Sequence, residues 1–166
     1  MERLYSSTQP KEIDFEKRGE AYSKRILNYN ISETNDVEMQ ALWDEYRAMV
    51  LDNDPTIEMS LTPEEWFKNE HKWQYNQLKF AMGVWSYDKV VEAIIRDKYS
   101  QSEMEAITNN MAAINAVFMQ TLVADGIIAA TKYLKDSIDD DNTARFKEMQ
   151  EWRKTAKDVA KKIFKA

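Results

Sequence analysis

The stretch from Ser100 to Lys135 constrains the fold more than any other part of the sequence. It contains no Pro, one Gly and seven Ala, a composition that favours a long helix. Ser100 and Glu103 have the spacing of a capping box, in which each side chain bonds the backbone N–H of the other residue. We therefore predict a long central helix over about 100–135, buried by its neighbours.

Apolar residues of this predicted helix recur at steps of three and four, the spacing of a helical packing seam. They are Met104, Ile107, Met111, Ile114 and Phe118. Alanines occupy the other faces, so we expect several helices to pack around it. Gly126, next to Asp125, is its weak point, because Gly lowers helix stability by roughly 1 kcal/mol in a helix interior. The sequence leaves open whether the helix breaks there.

Turn-forming residues are scarce, since the 166 residues include three Gly and three Pro. Many-stranded sheets need frequent turns, so this scarcity favours a few long helices. Thr62, Pro63 and Glu65 mark a second helix start, and Ser86 is the expected N-cap of a short helix. With helical periodicity as the guide, we predict additional helices over about 10–29, 36–52, 62–82, 87–98 and 143–165.

The predicted fold class is all-α: an irregular bundle of five or six helices around the long central helix at about 100–135. Residues 1–9 are polar and lack periodicity, so we expect an N-terminal arm there. Residues 10–166 are expected to form a single helical domain, because a chain of this length fits one hydrophobic core. This domain ends in a basic amphipathic helix over 143–165.

Charge is unevenly distributed along the chain, whose net charge is −6. From Thr143 to Ala166 there are eight Lys or Arg and three Asp or Glu, a local charge of +5, which leaves −11 on residues 1–142. Such asymmetry is typical of a contact surface. The candidate partner-binding residues on this last helix are Trp152, Arg153, Lys154, Lys157, Lys161 and Lys162.

The residue inventory excludes several kinds of chemistry. The chain has no Cys, which excludes disulfides, thiolate metal sites and a Cys nucleophile. His71 is the single His, and Lys68 stands three residues before it, so the Glu-x-x-His motif of di-iron bundles is absent. The three Gly are isolated, so no phosphate loop is present. We therefore predict a non-enzymatic protein with no catalytic residues, no metal site and no cofactor.

The sequence also bears on where the protein works. No unbroken apolar run approaches the ~20 residues of a membrane span, and the N-terminal Met-Glu-Arg-Leu-Tyr lacks the apolar segment of a signal peptide. We therefore expect no membrane span. The expected location is intracellular, either in the cytoplasm or incorporated into a virion.

The predicted function is that of a structural or assembly protein that acts through helical surfaces in a multi-subunit complex. Its partners would be other protein subunits, in a homo-oligomer or a larger assembly, because charge asymmetry suits head-to-tail contacts between copies. A phage virion component, such as a connector or tail-associated subunit, is the specific expectation within that class. The alternative is a small nucleic-acid-binding regulatory or adaptor module that uses the basic C-terminal helix. Nucleic acid is the less favoured partner, because Glu148, Glu151 and Asp158 alternate with the lysines.

Overall fold

The computed structural model describes residues 3–53, 62, 65, 71–138 and 141–165. In chain order the elements are strands β1 (Leu4–Ser6), β2 (Ile13–Arg18) and β3 (Ala21–Glu33), helix α1 (Asp36–Asn53), strand β4 (Trp73–Ala81), and helices α2 (Tyr87–Lys98), α3 (Gln101–Ile138) and α4 (Asp141–Phe164). The chain divides into two compact units, Met1–Trp85 and Ser86–Ala166. The first unit contains the strands and α1, and the second contains α2, α3 and α4.

The prediction of an all-α bundle of five or six helices is wrong. The described residues form four helices and a four-stranded antiparallel sheet that curls into a half-barrel, so the fold is mixed α and β. The strand order in this sheet is β1-β4-β3-β2. Strands β2 and β3 replace the predicted helix 10–29, and β4 replaces the second half of the predicted helix 62–82.

A tight turn at Gly19 explains why the region 10–29 is a hairpin. Arg18 pairs with Ala21 across the two strands, so two residues make the turn. Gly19 has a φ of +66°, and a positive φ at the first turn residue matches the twist of a hairpin. Phe15 and Tyr22, which the predicted helix placed on one face, are instead neighbours across the hairpin, with ring centroids 5.1 Å apart.

Strand β4 differs from the predicted helix because two of the three side chains that it buries are polar; the third is Phe80. Gln74 and Asn76 are buried, and both are hydrogen-bonded, as buried amides must be. The Gln74 side-chain amide accepts from Arg3 at 2.9 Å and donates to Glu38 at 2.8 Å. The Asn76 side-chain oxygen accepts from the Asn30 side-chain amide at 3.1 Å. A strand with amides on its inner side lacks the alternation of apolar and polar residues by which strands are recognised.

Within the predicted N-terminal arm, residues Leu4–Ser6 form β1 and pair with β4. The predicted helices 36–52, 87–98 and 143–165 are confirmed as α1, α2 and α4. For α2, the Ser86 cap is confirmed as well, because the Lys89 N–H donates to the Ser86 hydroxyl at 3.4 Å.

The hydrogen bonds of the second capping box are also present. The Glu65 N–H donates to the Thr62 hydroxyl at 3.2 Å, and the Thr62 N–H donates to the Glu65 carboxylate at 3.0 Å. Pro63 lies outside the described residues. Residues 66–70 of the predicted helix 62–82 also lie outside the described residues, and β4 begins at Trp73.

The start of α3 follows the sequence prediction closely. The Ser100 N–H donates to the Glu103 carboxylate at 2.8 Å, and the Glu103 N–H donates to the Ser100 hydroxyl at 3.2 Å. Ile107 and Ile114 of the predicted seam are buried. A core cluster forms where α4 crosses this part of α3: it contains Tyr99, Ile107 and Met149, with Met104, Phe146 and Trp152 packed against it.

Helix α3 is interrupted at Gly126, where the backbone turns back on itself. Gly126 has φ +82° and ψ 178°, a conformation essentially restricted to Gly. Asn110 lies 16 residues before Gly126, and Asn142 lies 16 residues after it. A helix of 16 residues is about 24 Å long at 1.5 Å per residue. Nevertheless the Asn110 side chain donates a hydrogen bond to the Asn142 side chain at 2.8 Å. Residues 110–138 therefore form a helical hairpin, with an outgoing arm up to Asp125 and a return arm from Ile127 to Ile138.

Replacement of Gly126 by Ala tests this turn. We expect Gly126→Ala to lower the free energy of unfolding by about 1–3 kcal/mol, because a residue with a Cβ is strained at this φ and ψ. Urea unfolding followed by circular dichroism measures the change.

Gly83→Ala is the matched control, because Gly83 has no positive φ and an added Cβ would meet no atom within 4 Å. We expect this control to change the free energy of unfolding by less than about 0.5 kcal/mol. Equal effects of the two substitutions would contradict a strained turn at Gly126.

Candidate interaction surface

The side of the outgoing arm that points away from the buried seam is apolar and exposed. We call this surface the outer face; its apolar members are Ala112, Ala113, Ala116, Val117, Met119, Val123 and Ala124, all of them exposed, and the exposed amides of Asn109 and Gln120 lie among them. The prediction that α3 is buried by helices on several sides is therefore wrong. The inner seam packs as expected, whereas the alanine-rich side meets solvent in the single chain.

Charge is almost absent from this part of the protein. Between Glu105 and Lys132 the only charged residue is Asp125, whereas 31% of the whole chain is charged. Exposed helical surface is normally covered by charged and polar side chains. The contrast indicates that the outer face is not adapted to remain in water.

The exposed apolar surface continues around the turn. Val123 is 85% exposed, Ile127 is 71% exposed and Ile128 is 85% exposed; we call residues 123–128 the tip. Beside the tip lies a shallow depression of about 400 Å³, lined by Ile127, Ile128, Thr131, Lys132, Lys135 and Asp136.

Asp125, Lys132 and Lys135 make no ion pair with any other residue that the structure describes. Asp136, which lines the same depression, likewise makes no ion pair with another described residue, so two acids and two bases flank the apolar tip.

In the described part of the chain, the segment Gln101–Ser137 has the length and composition of a membrane-crossing helix. Its mean hydropathy reaches 1.5 over 18 residues, and 6% of that window is buried. Length and composition alone are weak evidence of a span, since core helices of soluble proteins share them. The turn at Gly126 also divides the apolar segment into two arms. The expectation that the chain has no membrane span stays a prediction.

The six candidate residues on α4 do not form one surface. Lys154 and Lys161 are exposed on the same side of the helix, and Lys161 lies 3.6 Å from the Asp158 carboxylate. Lys162 is also exposed, but it lies one residue further around the helix from Lys161. The exposed lysines therefore cover a broad part of α4 that also carries a carboxylate.

Arg153 and Lys157 contribute to a groove in the second unit. This groove has a volume of about 420 Å³, and its lining consists of Asp88, Val91, Glu92, Ile95, Arg96, Gln101, Met104, Arg153 and Lys157. Arg153 contacts the Met104 sulfur at 4.0 Å, and Arg96 pairs with Glu92 at 2.9 Å. Groups of both signs therefore line the groove, above aliphatic and thioether side chains.

Trp152 has a structural role in joining α2 to α4. Its indole N–H donates to the Ile94 carbonyl oxygen at 3.0 Å. The Lys98 ammonium lies 5.0 Å from the centre of the Trp152 ring and 5.4 Å from the centre of the Tyr99 ring. It also forms an ion pair with Glu148 at 2.7 Å. Together these contacts bind the end of α2 to the middle of α4.

Electrostatics around Lys98 follow from these contacts. The hydrogen bond from Lys98 and the attraction of its positive charge lower the pKa of Glu148 below its usual value of 4.5. The same hydrogen bond raises the pKa of Lys98. For Tyr99, burial of the phenol raises the pKa. Each of these shifts favours the charge state in which the Lys98–Glu148 pair is formed and Tyr99 is neutral.

The single histidine lies in the other unit. Its ring is in contact with the Tyr5 ring at a centroid distance of 5.3 Å, and the His71 carbonyl oxygen accepts a hydrogen bond from the Thr34 hydroxyl at 2.8 Å. Over the residues that the structure describes, no three His, Cys, Asp or Glu side chains are placed so that they could hold a metal ion.

Sequence reasoning missed the outer face and the tip, although a signal for them was present. The scarcity of charged residues between Glu105 and Lys132 indicates a segment that is poorly solvated by water. Helical periodicity could not show whether neighbours within the chain cover that segment.

No protein-family model matches this chain, and neither the curated proteins nor the solved structures give a match. Nothing supports the expectation of a phage or virion component, and we withdraw it, together with the all-α helical bundle.

Removal of the Glu148 carboxylate tests the junction between α2 and α4. A carboxylate whose pKa is lowered by folding stabilises the fold above its unfolded pKa, and that stabilisation disappears as the pH falls through the folded pKa. We therefore expect Glu148→Gln to lower the Tm at neutral pH. The difference from wild type should shrink as the pH falls below 4.5, the usual pKa of the group.

Glu151→Gln is the control for this substitution, because Glu151 is exposed on the same helix and no ion pair joins it to another described residue. We expect its Tm to follow that of wild type at every pH. A constant difference between wild type and Glu148→Gln down to strongly acid pH would exclude the ion pair as its cause.

Proposed function

We propose that this protein is a non-enzymatic structural or assembly protein that works through helical surfaces in a multi-subunit complex. The observation that carries the proposal is the exposed apolar outer face of α3. Contiguous apolar surface of this kind marks protein–protein or membrane contact sites on soluble proteins. Its members lie on rigid helices, so the surface is formed before any partner arrives.

The outgoing arm is apolar on two sides, and packing within the hairpin covers only one of them. Its seam packs inward through Ile107 and Ile114, and its outer face carries Val117, Met119 and Val123. A helix that is apolar all round is stable when other elements cover all of its sides. No other described residue covers the outer face, and in this proposal a partner subunit covers it.

The groove and the lysines of α4 supply a second surface of different chemistry. Arg153 and Lys157 face the groove, and Lys154 and Lys161 are exposed to solvent. Charged contacts of this type act mainly on the rate and the register of association. In this proposal the apolar outer face supplies affinity, and the charged residues of α4 add specificity.

The alternative function, nucleic-acid binding by α4, has weaker support. A reader of single-stranded nucleic acid needs free aromatic rings on which bases stack. Trp152 is half-buried, its N–H bonds the Ile94 carbonyl oxygen, and Lys98 lies against its ring. The remaining contacts are mainly exposed basic side chains, and an acidic chain repels the phosphate backbone.

Light scattering of the purified protein, combined with a pull-down from the source cells, tests the proposed function. We expect either a mass above that of one chain, 19.5 kDa, or a protein partner retained at a fixed ratio. A strict monomer that retains no partner would contradict an assembly role.

Fluorescence anisotropy with labelled DNA and RNA tests the alternative. Binding through lysines would weaken by orders of magnitude between about 50 and 200 mM salt, and Lys157→Glu with Lys161→Glu would abolish it. We expect no such binding by the wild type at physiological salt. Tight, salt-dependent binding that this double variant loses would establish the alternative.

A further inference from the structure

We propose that the occupant of the outer face is a second copy of this chain, so that two hairpins associate side by side into a four-helix arrangement. This inference rests on the proposed assembly function and names its partner. Two antiparallel helices bury only the sides that face each other, whereas four helices enclose a common core. A second hairpin supplies the missing elements without any other protein.

The exposed apolar area has the size that such a dimer needs. Its largest contributors are Val117, Met119, Val123, Ile127, Ile128 and Leu134. At about 100 Å² for a fully open aliphatic side chain, their exposed fractions amount to on the order of 400 Å². A standard interface buries roughly 800 Å² per partner, of which about 60% is apolar. The outer face and the tip, together with Leu134 on the return arm, therefore provide most of the apolar area that one partner contributes.

Charges around the tip are self-complementary. Asp125 is exposed at the turn, and Lys132 and Lys135 are exposed on the return arm, about two turns away along the helix. None of the three forms an ion pair with another described residue. Under two-fold symmetry each contact occurs twice, so Asp125 of each copy would meet the lysines of the other. The depression lined by Lys132 and Lys135, next to Ile127 and Ile128, would then receive the partner's tip.

A membrane is the less suitable occupant. Asp125 lies at the point of the hairpin that would enter the hydrocarbon first, and a charged side chain is strongly disfavoured there. Asn115 and Gln120 are exposed on the outgoing arm among the apolar residues. Amides of this kind find hydrogen-bond partners in a helical interface more readily than in lipid.

Sedimentation equilibrium over a range of concentrations tests the proposal. We expect the wild type to dimerise and Val123→Asp to raise the dimer Kd at least tenfold. Val37→Asp is the matched control: Val37 is 80% exposed on α1, close to the 85% of Val123, and its substitution should leave the Kd unchanged within twofold. Both positions are exposed, so both variants should fold, as circular dichroism will verify.

A charge exchange tests the two-fold arrangement itself. Asp125→Lys alone leaves three bases and one acid, Asp136, at each contact, and Lys132→Glu with Lys135→Glu leaves four acids there. Each variant should dimerise at least tenfold more weakly than wild type. An equimolar mixture of the two should recover a heterodimer with a Kd near that of wild type, because opposite charges then meet at both contacts.

The outcomes separate this inference from the proposed function. A wild-type dimer that Val123→Asp leaves intact would place the interface elsewhere and overturn the inference, while the assembly function stands. A mixture that fails to form the heterodimer would overturn the two-fold pairing. A wild-type monomer overturns the inference as well, whether it retains another protein or sediments with vesicles of phosphatidylcholine and phosphatidylglycerol. A monomer that retains no partner overturns the proposed function too.

Discussion

The backbone turn at Gly126 is the constraint on which the rest of the helical unit depends. With helical φ and ψ at this residue, α3 would continue as one rod, and Asn142 would lie far from Asn110. The positive φ returns the chain along its own path and allows the two amides to bond at 2.8 Å. It also sets where α4 begins, and therefore which part of α3 the core cluster around Met149 covers. One residue thus determines both what α3 buries and what it leaves exposed.

Packing within the hairpin is one-sided. On the buried side of the hairpin, α4 packs against α3 near Ile107. Ala130 of the return arm is buried as well. The opposite side has a similarly apolar composition but no cover from described residues. An interface formed by rigid helices loses little conformational entropy on binding. The same geometry that exposes the outer face therefore also prepares it for a partner.

Local signals in the sequence were sufficient for the helix starts. Capping boxes and caps depend on residues three positions apart, and those at Ser100 and Ser86 are formed as predicted. The strands depend on distant partners: Gln74 reads as a polar surface residue until Arg3 and Glu38 are placed beside it. The hairpin turn at Gly19 falls inside the predicted helix 10–29, because a single Gly does not by itself distinguish a helix interior from a turn.

Burial of α3 could not be deduced from its pattern, for a physical reason. Alanine has the same helix propensity on a buried and on an exposed face, so periodicity identifies the seam but not the cover of the other sides. The missing charges between Glu105 and Lys132 were the available signal. The scarcity of charged residues indicates that this surface is poorly solvated, but it does not show whether the element that covers it belongs to the same chain.

A distance measured between copies tests self-association of the hairpin most directly. The chain has no Cys, so a nitroxide at Asn115→Cys, at the edge of the outer face, gives one label per copy for pulsed electron-spin spectroscopy. Side-by-side hairpins predict a narrow distribution of distances within about 25 Å, the length of the hairpin. An absence of dipolar coupling between copies, at a concentration where light scattering detects a dimer, would contradict association through this surface.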